Sequence, residues 1–127
     1  MKEFKSILIV DDSSTSRMIV QRCLEMSGQA ECRFSYAENG LDALSVLRKE
    51  PGAFDLIVTD LNMPKMDGAT FVRLVKKDPA TAGITVIVVS SIADGEAEKE
   101  LVAQGAQAVV KKPVSPAKLA AVLGGLQ

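Results

Sequence analysis

Histidine is absent from all 127 residues of this chain. No Ser-His or Cys-His pair can operate in it, no imidazole can bind a metal, and the chain cannot phosphorylate itself on histidine. Cysteine occurs only as Cys23 and Cys32, outside any CxxC spacing. Both read as small core residues of a reducing compartment rather than as a metal or redox pair. No apolar run approaches the ~20 residues of a membrane span. The opening MKEFKSILIVDD has no long apolar segment followed by small residues, so no secretory signal is expected and the cytoplasm is the expected location. Fifteen basic and 16 acidic residues, net −1, are spread along the chain and form no basic patch for nucleic acid.

What is present is apolar and periodic. The chain is 47% hydrophobic, which supports a core and excludes wholesale disorder. Its length suits one domain, expected to span 1–127 and to bury roughly two thirds of its unfolded surface. Five short strand candidates, Ser6–Val10, Cys32–Ala37, Asp55–Thr59, Thr85–Val89 and Ala108–Lys111, alternate with five helix-like stretches. RMIVQRCLEM sets Ile19, Cys23 and Met26 on one face, with Gly28 as its stop; GLDALSVLRKE groups Leu41, Leu44 and Leu47 before Pro51. ATFVRLVKK carries Phe71, Leu74 and Val75. SPAKLAAVLGGL begins with Ser115 as cap and Pro116 at the first helical position, then Leu119, Val122 and Leu123. The fourth stretch, DGEAEKELVAQGA, offers only Ala97 and Leu101 as an inward face and is the element expected to move most readily.

Strands alternating with helices imply a doubly wound α/β fold. ILIV, LIV and VIVV are apolar on both faces, as interior parallel strands should be, whereas CRFSYA alternates like an edge strand. With the second strand at an edge and the first inside, the expected topology is a flavodoxin-like five-stranded parallel sheet, order 2-1-3-4-5, with five helices.

The chemistry gathers at the strand ends. Strand one runs into Asp11-Asp12, strand three into Asp60, strand four into Ser90-Ser91 and strand five into Lys111-Lys112. A parallel sheet brings all of these to one edge, where ligands bind in such folds. Ionised carboxylates at ~4 Å and an effective dielectric of ~20 repel by about 4 kcal/mol per pair. A hard divalent cation such as Mg²⁺ relieves that repulsion, and a lysine opposite can meet an incoming anion. Asp60, alone at the end of a central strand, is the favoured nucleophile for forming an acyl phosphate. Each residue has a plainer role available: Asp12 as helix cap, Asp60 as the start of a turn, Ser90 or Ser91 as cap of the fourth helix, the lysine as solvated surface. Their coincidence at one edge favours a site.

These segments resemble the receiver domain of two-component response regulators, particularly its stand-alone, CheY-like members, over essentially the whole chain. ILIVDDSSTSRMIV resembles that family's first strand, acidic pair and first helix; DLIVTDLNMPKMDG resembles its phosphorylation segment; VIVVSS supplies its hydroxyl residue and VVKKPV its lysine–proline pair. The resemblance implies Asp60 as phosphoacceptor, with Mg²⁺ held by Asp11, Asp12, Asp60 and the backbone carbonyl of Asn62. It implies Ser90 as the hydroxyl that turns toward the phosphoryl group. Lys112 rather than Lys111 becomes the phosphoryl-binding lysine, with a cis peptide at Lys112–Pro113. One position departs from the pattern. Val109 stands where many members carry an aromatic ring in strand five, so no ring can swing inward behind Ser90, and an unmodified CheY-type switch with a flagellar-motor partner is not expected.

The implied function is a phosphorylation-activated switch rather than an enzyme with its own substrate. It would be charged by a sensor histidine kinase or phosphotransfer domain and read by an output protein through the helix 4–strand 5–helix 5 face. Ser91, Ile92 and Val109 would tune the switch. Neither nucleic acid nor membrane is an expected partner, and chemotaxis is the pathway suggested by the length and by DDSSTSRMIV. The alternatives are a Mg²⁺-dependent phosphohydrolase, disfavoured because Asn62 replaces the second carboxylate such enzymes use; a flavin-binding module, disfavoured by the acidic loop; and a receiver-like scaffold that is never phosphorylated.

Overall fold

A computed structural model describes residues 4–91 and 95–125. The strands β1 (Ser6–Val10), β2 (Arg33–Ala37), β3 (Leu56–Asp60), β4 (Thr85–Ser90) and β5 (Ala108–Lys111) form one parallel sheet in the order β2-β1-β3-β4-β5. Between and after them run α1 (Ser14–Leu24), α2 (Gly40–Lys49), α3 (Gly68–Lys77), α4 (Gly95–Ala103) and α5 (Pro116–Gly124). Fold class and strand order are those the sequence implies. β1 and β3 are buried at every residue, since both faces are covered by helices, while the edge strand β2 leaves Arg33 and Tyr36 exposed.

The period-2 alternation of the strands divides the core in two. Leu8, Val10, Ile57, Val86 and Val88 face α2, α3 and α4, meeting Leu44, Leu47, Phe71, Val75 and Leu101. Ile7, Ile9, Val58, Ile87 and Val110 face α1 and α5, meeting Val20, Leu24, Leu119 and Leu123. Each fully buried side chain of this size contributes about 1.5–3 kcal/mol relative to exposure.

Polar side chains define the helix starts. Ser13, Asn39, Asp67 and Ser115 each accept a hydrogen bond from the N–H three residues on, so α1, α2, α3 and α5 begin with the same cap. α1 continues into a wide turn, Glu25–Gln29, that ends as Gly28 takes φ 112°.

Several expectations shift. β2 starts at Arg33, not Cys32, whose thiol instead donates to the Gln29 carbonyl. β3 is shifted by one residue at both ends, to Leu56–Asp60 instead of Asp55–Thr59, and β4 extends one residue further, to Ser90. The buried stripe of α1 is Val20, Cys23 and Leu24, an i, i+3, i+4 set, so Ile19 and Met26 are turned outward, 50% and 69% exposed. Leu41 is likewise exposed, its place on the inner face of α2 taken by Ala43.

Backbone contact sets one glycine. A Cβ on Gly68 would lie 2.4 Å from the Asp60 carbonyl oxygen and 2.7 Å from Leu61 Cα, neither of which can yield as a flexible side chain would. Gly68→Ala is expected to destabilise by about 1–3 kcal/mol in urea unfolding. Gly83→Ala, with nothing within 4 Å of the added methyl, should stay near the parent.

Candidate functional site

The C-terminal ends of four adjacent strands build a crevice. Val10 pairs with Thr59, Asp60 with Val89 and Ser90 with Lys111, so the residues that follow emerge side by side. Asp11 is buried and held at three points. Its Oδ1 accepts from the Ser13 N–H at 3.0 Å, its Oδ2 from the Ser16 hydroxyl at 2.6 Å, and its carbonyl from the Arg17 guanidinium at 2.6 Å. Ser13 caps α1, which leaves the exposed Asp12 carboxylate to the crevice.

Asp60 is 8% exposed. Its Oδ1 accepts from the Leu61 N–H at 2.9 Å and lies 3.3 Å from the Lys112 ammonium, which also stands 3.9 Å from Asp11 Oδ2. One carboxylate oxygen from each of Asp11, Asp12 and Asp60 lies within 4.8 Å of the others. The donor set is oxygen only, partly buried and crowded with negative charge, which fits a hard divalent cation of the Mg²⁺ class.

Burial pushes the Asp60 carboxyl above its ordinary pKa; the Lys112 charge pulls it back and the Asp11 charge raises it further, with a net upward shift. A carboxylate that resists ionisation in the bare protein gains most when a cation arrives beside it.

Other sequence-derived candidates fall around this centre. Ser90 is buried at the end of β4, and its carbonyl accepts from the Lys112 N–H at 2.8 Å. Asn62 and Ser91 are exposed, Val109 is half-buried against the α2–α3 side of the core, and Ile92 lies outside the described residues. The Lys112–Pro113 peptide is cis. Lys111, the last residue of β5, is exposed, and only Lys112 makes ion pairs with the carboxylates among the described residues.

Sequence reasoning passed over Ser16, Arg17 and Gly68. Ser16 and Arg17 hold Asp11 because one helical turn returns them over it, a signal present in the spacing of DDSSTSR. Gly68 follows the Asp67 cap, where a glycine in a first helical turn marks close backbone approach.

Comparison with known proteins agrees with this geometry. The sequence model of the response regulator receiver domain matches residues 7–124. The chemotaxis protein CheY-3 of Vibrio cholerae is 38% identical over 117 residues, 89% of this chain and 84% of that protein. The sensor histidine kinase CheAY of Helicobacter pylori is 34% identical over 117 residues, 92% of this chain but only 14% of the kinase. The structure of the chemotaxis response regulator CheY4 of Vibrio cholerae superposes with a TM-score of 0.83 at 29% identity, covering 97% of this chain and 98% of that one.

The electrostatics carry a test. With its folded-state pKa raised, Asp60 favours folding when protonated, so its ionisation weakens the fold. That penalty is absent below the unfolded-chain value of about 3.9 and complete above the folded one. Without divalent cations, Asp60→Asn should be more stable than the parent at pH 7, by on the order of 1 kcal/mol. The gap should close as pH falls through the Asp60 transition. Urea unfolding across that range checks it, and a gap that widens toward acid would contradict the assignment.

Proposed function

This chain belongs to the response regulator receiver domain family, the phosphorylation-activated switches of two-component systems, and we propose that Asp60 is its phosphoacceptor. The observation that carries this reading is the Lys112 ammonium 3.3 Å from a buried Asp60 carboxylate, with Asp11 and Asp12 oxygens alongside. The donor is a phosphohistidine on a sensor histidine kinase or phosphotransfer domain. An Asp60 carboxylate oxygen forms the new O–P bond as the P–N bond breaks, and the electron pair returns to the imidazole, which takes a proton. Among the described residues, the hydrogen bond from the Leu61 N–H and the ion pair with Lys112 both fall on Oδ1, which leaves Oδ2 the freer oxygen for attack.

Positioning and charge do most of the catalysis. Lys112 stands where phosphoryl oxygens would gather negative charge. Asp11, Asp12, Asp60 and the Asn62 carbonyl would hold Mg²⁺, whose contribution is to neutralise charge on those oxygens. Ser13, Ser16 and Arg17 keep Asp11 from turning away. The chain is thus a switch that catalyses its own phosphotransfer and slow dephosphorylation rather than an enzyme acting on other substrates.

For output, the Ser90 hydroxyl donates to the new phosphoryl group and draws its loop inward. α4 follows readily, since Leu101 is its one buried residue. Carrying an equilibrium from 1:99 to 99:1 takes about 5.5 kcal/mol of differential interaction, a scale that a few charge-assisted hydrogen bonds and a lysine pair reach. A partner reads the face formed by α4, β5 and α5, with Val109 in β5 in place of a swinging aromatic ring. The chain acts as a single receiver domain over 1–127, in the cytoplasm, and the names of its relatives make chemotaxis the favoured pathway. No helix among the described residues is long and apolar enough to cross a membrane.

Incubation with acetyl phosphate followed by intact-mass measurement tests this directly. The parent should gain one phosphoryl-sized increment with Mg²⁺ and none without it, and Asp60→Asn none in either condition. Turnover of many phosphate esters per protein would instead mark a phosphohydrolase. Apolar Ile92 offers no group to orient water, so phosphorylated Ile92→Glu should decay several-fold faster than the parent; equal or slower decay would refute that role.

A further inference from the structure

Lys118, the third residue of α5, turns its ammonium back toward the strand ends. Nζ donates to the Pro113 carbonyl at 2.8 Å and to the Lys111 carbonyl at 3.2 Å. Those carbonyls flank Lys112, whose own N–H donates to the Ser90 carbonyl at 2.8 Å. The backbone on both sides of the site lysine is therefore tied down, and two of the ties come from one side chain on another element.

The residue type at this position points the same way. Ser115 caps α5 by accepting from the Lys118 N–H at 3.1 Å, which makes Lys118 the N3 residue. That position favours Glu or Gln, which reach back to the cap, and the positive end of the helix dipole repels a cation there. No acidic residue of the first turn offsets the charge. Local helix chemistry argues against a lysine at N3, and the two carbonyls outside the helix supply the compensation through charge-assisted hydrogen bonds.

We propose that Lys118 is a positioning residue for phosphoryl transfer: it clamps the 111–113 segment so that the Lys112 ammonium stays 3.3 Å from Asp60. This rests on the reading of Asp60 as phosphoacceptor. Lys118 acts only through the backbone around Lys112. A displacement of 1 Å in a catalytic group costs up to ~10²-fold in rate, and an exposed clamp in exchange with water controls a smaller part, about tenfold.

Uptake from acetyl phosphate, followed by intact mass over a range of donor concentrations, compares the parent with Lys118→Met and Lys118→Arg. Mg²⁺ affinity, thermal midpoint and hydrogen exchange of the Lys112 N–H are measured on the same proteins. Methionine is a good helix former and removes the unfavourable charge, so α5 itself should not weaken. Lys118→Met should lower the limiting uptake rate about tenfold, leave Mg²⁺ affinity and thermal midpoint unchanged, and speed exchange at Lys112. Lys118→Arg, with donors for both carbonyls, should recover most of the rate. Parent-like uptake by Lys118→Met, an Arg variant as slow as the Met one, or a loss that merely tracks a lower thermal midpoint would each overturn the proposal. A parent that accepts no phosphoryl group would refute the phosphoacceptor reading instead, and unchanged exchange at Lys112 would still refute the clamp.

Discussion

A carboxylate 8% exposed, sharing a crevice with two others, is costly to keep ionised, and the ammonium of Lys112 is the counterweight around which the rest is arranged. Burial and Asp11 push Asp60 toward its neutral form while Lys112 pulls it toward the anion. The net shift is upward, and a cation placed beside the carboxylate would oppose it. A surface pair of this kind would be worth little; here low exposure and two carboxylates on one lysine make the contact consequential.

Rigid and loose elements meet at that point. Asp11 is fixed by the first turn of α1, and Asp60 by the Leu61 N–H and the close approach of Gly68. Lys112 is fixed through its backbone, by Ser90 on one side and Lys118 on the other. α4, by contrast, buries Leu101 alone. A charge change at a rigid centre can therefore be expressed in the element least committed to the core, which is the physical content of a switch.

The alternating pattern was legible because each interior strand is apolar on both faces and α1, α2, α3 and α5 start on polar caps. Helix rotation was less so. α1 offers apolar residues on more than one side, and Val20–Cys23–Leu24 compete with Ile19–Cys23–Met26 at nearly the same spacing. Only contact with Leu119 and Leu123 of α5 and with the sheet selects between them. For α1 the sequence offers Asp12 as the cap, and the structure gives that place to Ser13, whose side chain accepts from the Ser16 N–H.

Sequence alone determined the fold class, the strand order and the set of residues delivered to one sheet edge, because those follow from periodicity and from the parallel arrangement. It also established that this chain contributes no histidine of its own to the chemistry, since it has none. Tertiary structure alone decided which groups come into contact: the Lys112 ammonium with Asp60 Oδ1, Ser16 and Arg17 with Asp11, Gly68 against the Asp60 backbone, Lys118 on the carbonyls flanking Lys112. The reason is distance in the chain. Local patterns specify where a residue sits on its own helix or strand, but a contact across elements depends on packing angles and loop paths that no local pattern encodes.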